Sequence, residues 1–344
     1  MTNQNIPQEP LFGVSELAPE VLATYAHLWQ FETWLRRLVY VQLRALDGDD
    51  WESKMKSGRA AGPKNNDKRM THMPTPEDDV LSFVQLSELQ RVVTEHWHLF
   101  EAYLPPKTIW DAKLEEVVAI RHRTAHFRSL HRDDLPRVKQ FLRDIDQGFW
   151  RFCTSYNNAQ PILPQTNDPV VAHFLPLDLF AWTQVGDQQW ARVGHADPSE
   201  RFAMTVEVLR MPWAKPTPPV AGQPGFLYDV NIMARGVRHY DYRRLLQLTK
   251  QQHHHTVHMC LSGSATTFRF TLPAVLDETK LIAIIEAFHE GAQNGTLPGA
   301  YDRPAAAIEA IAREQPESVL GPGNPLAFLS PDMPCAFFQG LDER

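Results

Sequence analysis

Only three cysteines occur in 344 residues, Cys153, Cys260 and Cys335, far apart and odd in number. That excludes a disulfide framework and a CxxC metal knuckle and points to a reducing setting. No apolar run approaches the roughly 18 residues that cross a bilayer, so no membrane partner is expected. Met1 to Pro10 is polar, with no basic residue ahead of an apolar stretch. No secretory leader is read there, and a cytoplasmic protein is expected. Neither GxxxxGK[ST] nor GxGxxG occurs, which disfavours NTPases and dinucleotide enzymes. Ser262-Gly263-Ser264 lacks the flanks of a nucleophile elbow. No repeat of solenoid type is present.

The formal net charge of −7 argues against coating nucleic acid through an overall field. Locally the sign reverses. Residues 51–70 hold Lys54, Lys56, Arg59, Lys64, Lys68 and Arg69 against Glu52 and Asp67. Residues 121–143 hold Arg121, Arg123, Arg128, Arg132, Arg137, Lys139 and Arg143 against Asp133 and Asp134. Solvated helix faces are often basic, but two such clusters in the same half of the chain count toward a phosphate-bearing ligand.

The pattern of apolar residues divides the chain. Residues 15–46 read as one helix, with Ser15 as cap, Pro19 in the first turn, and Leu28, Phe31, Leu35, Leu38, Val39, Val41 and Leu43 facing inward. Residues 52–76 read as a polar, basic loop. Further helices are expected over 77–103, from Thr108 into Arg121, and over 133–156, so residues 1–156 form an all-α bundle. The tryptophans and phenylalanines of this half are taken as core packing, not as base-stacking platforms. Residues 157–170, with prolines at 161, 164 and 169, read as a linker. Beyond it the period falls to two at 202–208, 227–232, 256–261 and 267–272, the mark of strands. With helices at 277–294 and 303–314, residues 171–320 form an α+β domain with an antiparallel sheet. Residues 321–344 are a Pro/Gly-rich tail expected to lie irregularly over the surface. The fold class is α+β overall, a helical bundle followed by this mixed domain.

Chemistry concentrates in Arg121-His122-Arg123-Thr124-Ala125-His126, with Arg128, His131 and Arg132 close behind. Cleaving RNA without a metal needs a base for the ribose 2′-hydroxyl, an acid for the leaving 5′-oxygen, and a cation for the charge on phosphorus. Histidine, with an ordinary pKa of about 6.5, suits the first two, and the planar guanidinium of arginine suits the third. On an ideal helix Arg121 and His126 diverge by about 140°. They meet at one phosphate if the helix ends between them, or if a second copy supplies the partner. Arg123, Arg128 and Arg132 are the expected substrate-binding cations.

These residues resemble the HEPN superfamily, helical domains typified by an arginine, four to six intervening residues and a histidine, with a polar residue commonly after the arginine. His122 fills that polar position. Phe31-Glu32-Thr33-Trp34-Leu35-Arg36-Arg37-Leu38, ending in Gly48-Asp49-Asp50-Trp51, is similar to their first helix. Phe83 to Leu89 and Trp97 to Phe100 look like the segment before their motif helix. The resemblance covers roughly residues 15–156. It implies a metal-independent endoribonuclease acting as a homodimer with both motifs in one cleft, of toxin or antiphage-defence type. His126 would transfer protons, Arg121 would clamp phosphate, His122 would orient, and Glu32 would support Arg121. The implied partners are an RNA substrate, a second copy, and an antitoxin or phage-derived trigger. The competing reading is a non-catalytic RNA- or protein-binding module.

His122 and His126 have the spacing of paired metal ligands, but no HExxH glutamate lies between them and no third ligand stands nearby. No metal and no cofactor is expected. If His253 to His258 formed a strand, His254 and His258 would share a face, as a metal or phosphate site or, more simply, as an exposed histidine-rich strand or turn. Arg235 to Lys250, with Tyr240 and Tyr242 interleaved, reads equally as an RNA-contacting surface or an amphipathic helix.

Overall fold

The computed structural model describes residues 18–55, 80–126, 128–157, 167–187, 189–194, 201–215, 219–333 and 336–341, with isolated positions 65, 69 and 72. Most of the basic segment 51–70 and the linker residues 158–166 lie outside these, as do Ser15 and Cys335.

In the N-terminal half, apolar spacing of three and four builds the bundle. Helix α1 (Pro19–Asp47) starts with proline in its first turn and buries Leu28, Phe31, Leu35, Leu38 and Val39. It stops at Gly48, whose φ of 57° is a left-handed value that glycine tolerates. The expected 77–103 helix is broken into a 3₁₀ turn (Val80–Phe83), α2 (Leu86–Glu95) and a second 3₁₀ turn (Trp97–Leu99). The buried positions explain the break. Leu81 and Val84 are followed by Leu86, a step of two that a helix would turn some 200° away. Val93 to Leu99 is out of phase in the same way. Helix α3 (Lys107–Ala125) follows Pro105-Pro106 and buries Trp110, Leu114, Val117 and Ile120. Helix α4 (Asp134–Asn157) carries Val138, Phe141, Leu142, Ile145, Phe149 and Phe152 inward. The rings of Phe31 and Phe141 meet edge to face at 5.0 Å, fixing α1 against α4. Gly148 lets α4 pass the backbone at Tyr103, because a Cβ there would lie 1.7 Å from the Tyr103 carbonyl oxygen.

The C-terminal half contains a five-stranded sheet. A short helix, a 3₁₀ turn (Leu175–Leu177) and two hairpin strands come first: α5 (Pro169–Phe174), β1 (Trp182–Gly186) and β2 (Gln189–Arg192). The main strands are β3 (Phe202–Arg210), β4 (Phe226–Ala234), β6 (His258–Leu261), β7 (Thr267–Pro273) and β9 (Val319–Leu320). They lie in the order β3-β4-β7-β6-β9, and all neighbours are antiparallel except β6 and β9, which run parallel. A separate ribbon pairs β5 (Arg238–Tyr240) with β8 (Thr296–Pro298). Helices α6 (Tyr242–Leu248), α7 (Glu278–Asn294), α8 (Ala305–Ala312) and α9 (Pro325–Phe328) complete the chain.

The period of two gives the sheet unlike faces. Met204, Val206, Tyr228, Val230, Phe268, Phe270 and Leu272 join a core with α5 to α8, where Phe270 stacks on Phe288 at 4.1 Å. The alternate residues, Asp229, Asn231, His258, Cys260, Arg269 and Thr271, are polar or small. Those around His258 meet the helical bundle. Tyr156 Oη lies 2.9 Å from His258 Nδ1 and donates to Thr271 Oγ1 at 3.0 Å. Arg269 donates to the Leu326 carbonyl at 2.9 Å and lies 3.7 Å from Asp229. From α1, Tyr40 donates to Val257 O at 3.0 Å, and Arg44 to the carbonyls of His254 and Thr256, both at 3.1 Å. These bonds offset much of the cost of burying such groups.

One expectation is corrected and two open alternatives are decided. The tail does not lie over the surface: Leu326, Leu329, Phe337, Phe338 and Leu341 are buried in the helical core. Phe149 and Phe338 pack at 5.3 Å, and Arg143 donates to Leu341 O at 2.6 Å. Apolar side chains outweigh the prolines and glycines around them. Lys250–His255 is a 3₁₀ turn, not a strand, so His254 and His258 share no strand face. Tyr240 and Tyr242 are buried rather than offered to RNA, and Arg243 pairs with Glu314.

Candidate active site

Helix α3 places the motif. Its inward stripe ends at Ile120, and the helix continues through Arg121 to Ala125 before His126 caps it, with its N–H 3.2 Å from His122 O. At 3.6 residues per turn Arg121 shares a face with Thr124 and Ala125, while His122 and His126 lie about 100–140° around the axis. The side chains follow that rule. Arg121 and Thr124 line a groove of about 360 Å³ between α1 and α3, facing Tyr25, Trp29, Glu32 and Arg36. His122 and His126 lie outside its lining and stack on each other, exposed, with ring centroids 6.2 Å apart and planes 10° from parallel. The helix thus ends only at Ala125, one residue before His126, and within one chain neither histidine lines the groove that Arg121 and Thr124 line.

Glu32 organises the groove. Its side chain is 12% exposed and sits between two guanidiniums, pairing with Arg36 one turn along α1 and with Arg121 Nε at 3.6 Å. Arg36 also donates to Val84 O at 3.1 Å. One carboxylate between two arginines orients both and leaves the groove net positive, which suits a phosphate.

The other basic residues divide. Arg123, expected on substrate, grips Asp134 with Nη2 at 2.5 Å and Nε at 3.2 Å, and Asp134 also accepts the His131 N–H at 2.9 Å. Because Asp134 is buried, this pair anchors the turn between α3 and α4 and commits two of the three guanidinium nitrogens of Arg123. Arg128 is exposed, and Arg132, 89% exposed, lies 3.7 Å from Asp133.

The aromatic rim was missed by the sequence reading. Tyr25 is 58% and Trp29 61% exposed, and with Leu22 they form a stripe on the solvent side of α1. Spacings of three and four, opposite Leu28 and Phe31, were the available signal. Trp29 thus departs from the expectation that tryptophans here are core.

A second cluster offers donors. Atoms of Asp49, His254 and His255 lie within 4.8 Å of one another. Asp49 already receives Lys280 Nζ at 3.2 Å, Arg44 Nη1 at 3.3 Å and His255 Nδ1 at 2.5 Å. Arg44 and the histidine hold its carboxyl below the usual range against the effect of burial, so this carboxylate is neutralised by protein cations.

A family model described as SAV2148-like HEPN domain matches residues 22–142, which run from α1 through the Arg121–His126 motif into α4, and no family model matches the C-terminal half. No curated protein and no solved structure matches the chain. No helix among the described residues is long and apolar enough to cross a membrane.

Proposed function

From the premise that a HEPN domain occupies the N-terminal half, we propose that the chain is a metal-independent endoribonuclease whose site forms when two copies bring Arg121 of one to His126 of the other. The observation that carries this reading is Arg121, pinned by Glu32 in an open, aromatic-rimmed groove that its own histidines do not enter. In the assembled site His126 takes the proton of the ribose 2′-hydroxyl. The 2′-oxygen then bonds to phosphorus, the bond to the 5′-oxygen breaks, and the proton passes to that leaving oxygen. The products are a 2′,3′-cyclic phosphate and a 5′-hydroxyl. Arg121 holds the phosphate oxygens and offsets the charge that grows there, and His122, stacked on His126, orients it. The exposed stripe of Leu22, Tyr25 and Trp29 beside the groove supports contact with a second copy. Arg128 and Arg132 are the exposed cations left to meet the RNA backbone.

In this reading residues 1–156 are the nuclease and 171–320 sense a trigger, bind substrate or restrain it, in a cytoplasmic toxin or phage-defence protein with an antitoxin or phage-derived trigger as further partner. The divergence of Arg121 and His126 favours a second reading for a chain that stays monomeric, an RNA- or protein-binding module without catalysis. The test is purified protein with total RNA and EDTA. Cleavage that survives chelation and is lost in Arg121→Ala and His126→Ala is the expected result. Intact RNA with stoichiometric folded protein would favour the binding module.

A further inference from the structure

A second cavity, of about 340 Å³, opens in the C-terminal half, where β4 turns into β5 and β6 turns into β7. Its lining includes Arg238, Ser264, Thr266, Tyr301 and Arg303, with no carboxylate. Neither arginine pairs with a carboxylate among the described residues, in contrast to Arg243 with Glu314 and Arg269 with Asp229. Two like charges on one small cavity are unfavourable until an anion joins them.

The two turns make this arrangement. Gly236 and Val237 both hold left-handed φ values, 66° and 51°, and Val237 at the rim is 73% exposed. A β-branched residue seldom adopts that conformation; here it brings Arg238 round to the cavity. In the opposite turn Ala265 has φ 53°. Ser262 is committed to the fold, accepting Thr267 N–H at 3.2 Å and sharing a contact with Tyr242 Oη at 3.2 Å. Ser264 and Thr266 bond to each other at 2.7 Å, and Ser264 Oγ also lies 3.4 Å from Ser262 Oγ, so at most one of the two hydroxyl protons is left for a ligand. The ring of Tyr301 leans on His239 at 5.6 Å, and His239 is in turn held by Gly299 O at 2.9 Å. The cavity thus joins two unpaired guanidiniums and a hydroxyl donor to one supported aromatic wall, at the small end of the size range for ligand sites.

We propose that this cavity binds a small phosphorylated molecule of the nucleoside monophosphate class, its phosphate between Arg238 and Arg303 with the Ser264–Thr266 pair, and its planar ring against Tyr301. The site is separate from the Arg121 groove. Calorimetry on the full chain with AMP, inorganic phosphate and adenosine tests it. AMP binds saturably, phosphate alone binds more weakly, and adenosine binds at least about tenfold more weakly than AMP. Arg303→Gln and Arg238→Gln each weaken AMP by about tenfold or more, with circular dichroism unchanged, whereas Arg121→Ala leaves it as in the wild type. The proposal is overturned if AMP and phosphate both fail to bind at about 10 mM. It is equally overturned if adenosine matches AMP, if phosphate matches AMP, or if Arg121→Ala abolishes binding while Arg303→Gln does not.

Discussion

Mixing two dead variants separates a shared site from a self-contained one. In a single chain Arg121 faces the groove beside Glu32, and His126 faces away on the surface that carries His122. If catalysis draws Arg121 from one copy and His126 from the other, Arg121→Ala and His126→Ala each kill both sites of their own dimer. Loss of one preorganised charge-stabilising donor costs about 10²–10³ in rate, and loss of the proton-transfer group about as much or more. In a mixed dimer, however, the His126→Ala copy still offers Arg121 and the Arg121→Ala copy still offers His126, so one of the two sites is whole. Random exchange makes about half of the dimers mixed, and activity returns to about one quarter of the wild-type value. That is a rise of roughly 25-fold or more over either variant alone. The assay is cleavage of a fluorogenic RNA by an equimolar mixture left to exchange subunits, with dimerisation followed by light scattering. Activity of the mixture no higher than the mean of the two variants, in a preparation proven to exchange, would refute the two-copy site. Wild-type cleavage by a strict monomer would do the same.

Three further outcomes follow from packing and charge. Gly148→Ala forces a Cβ to within 1.7 Å of a backbone oxygen that no rotamer can move, so it costs about 3 kcal/mol or more, read as a lowered urea midpoint; an unchanged midpoint would contradict the close passage of α4. Asp229→Asn strips the counter-charge from Arg269, whose side chain is only 14% exposed, and costs about 3 kcal/mol, whereas Asp229→Asn combined with Arg269→Met recovers much of that loss; additive losses would show the pair is not coupled. Stability also falls with acid. Burial, with Arg37, Arg269 and Arg44 nearby, drives the His258 pKa well below its ordinary value, and burial lowers His253 to about 4. In the unfolded chain both rings take protons near 6.5, so their contribution is whole above that pH and drains as the pH falls toward the folded values. His258 alone removes up to about 1.4 kcal/mol per pH unit. Asp229, its pKa raised by burial, opposes this by protonating earlier in the fold. Denaturation midpoints from pH 7 to 5 read the slope, which His258→Gln flattens; an equal slope in that variant would show that His258 is not its source.

Much of the fold was legible because local physics wrote it. Leu28, Phe31, Leu35 and Leu38 repeat at helical spacing, and Phe202 to Val208 and Thr267 to Leu272 alternate as strands do, so α1, β3 and β7 emerge from periodicity. The Arg/His motif was legible for the same reason, since its residues are adjacent in sequence, and the five-residue offset already implied divergence. Tertiary packing settled what spacing leaves open. It broke the 77–103 helix, drew Phe337, Phe338 and Leu341 of the tail into the bundle, and spent Arg123 on Asp134. It also covered the polar face of the sheet, where Tyr156, His258 and Arg269 meet although more than 100 residues separate Tyr156 from His258. A residue's periodicity records which way it points along its own element. What stands opposite depends on another element's position, and that is set by the sum of many distant contacts that no local window contains.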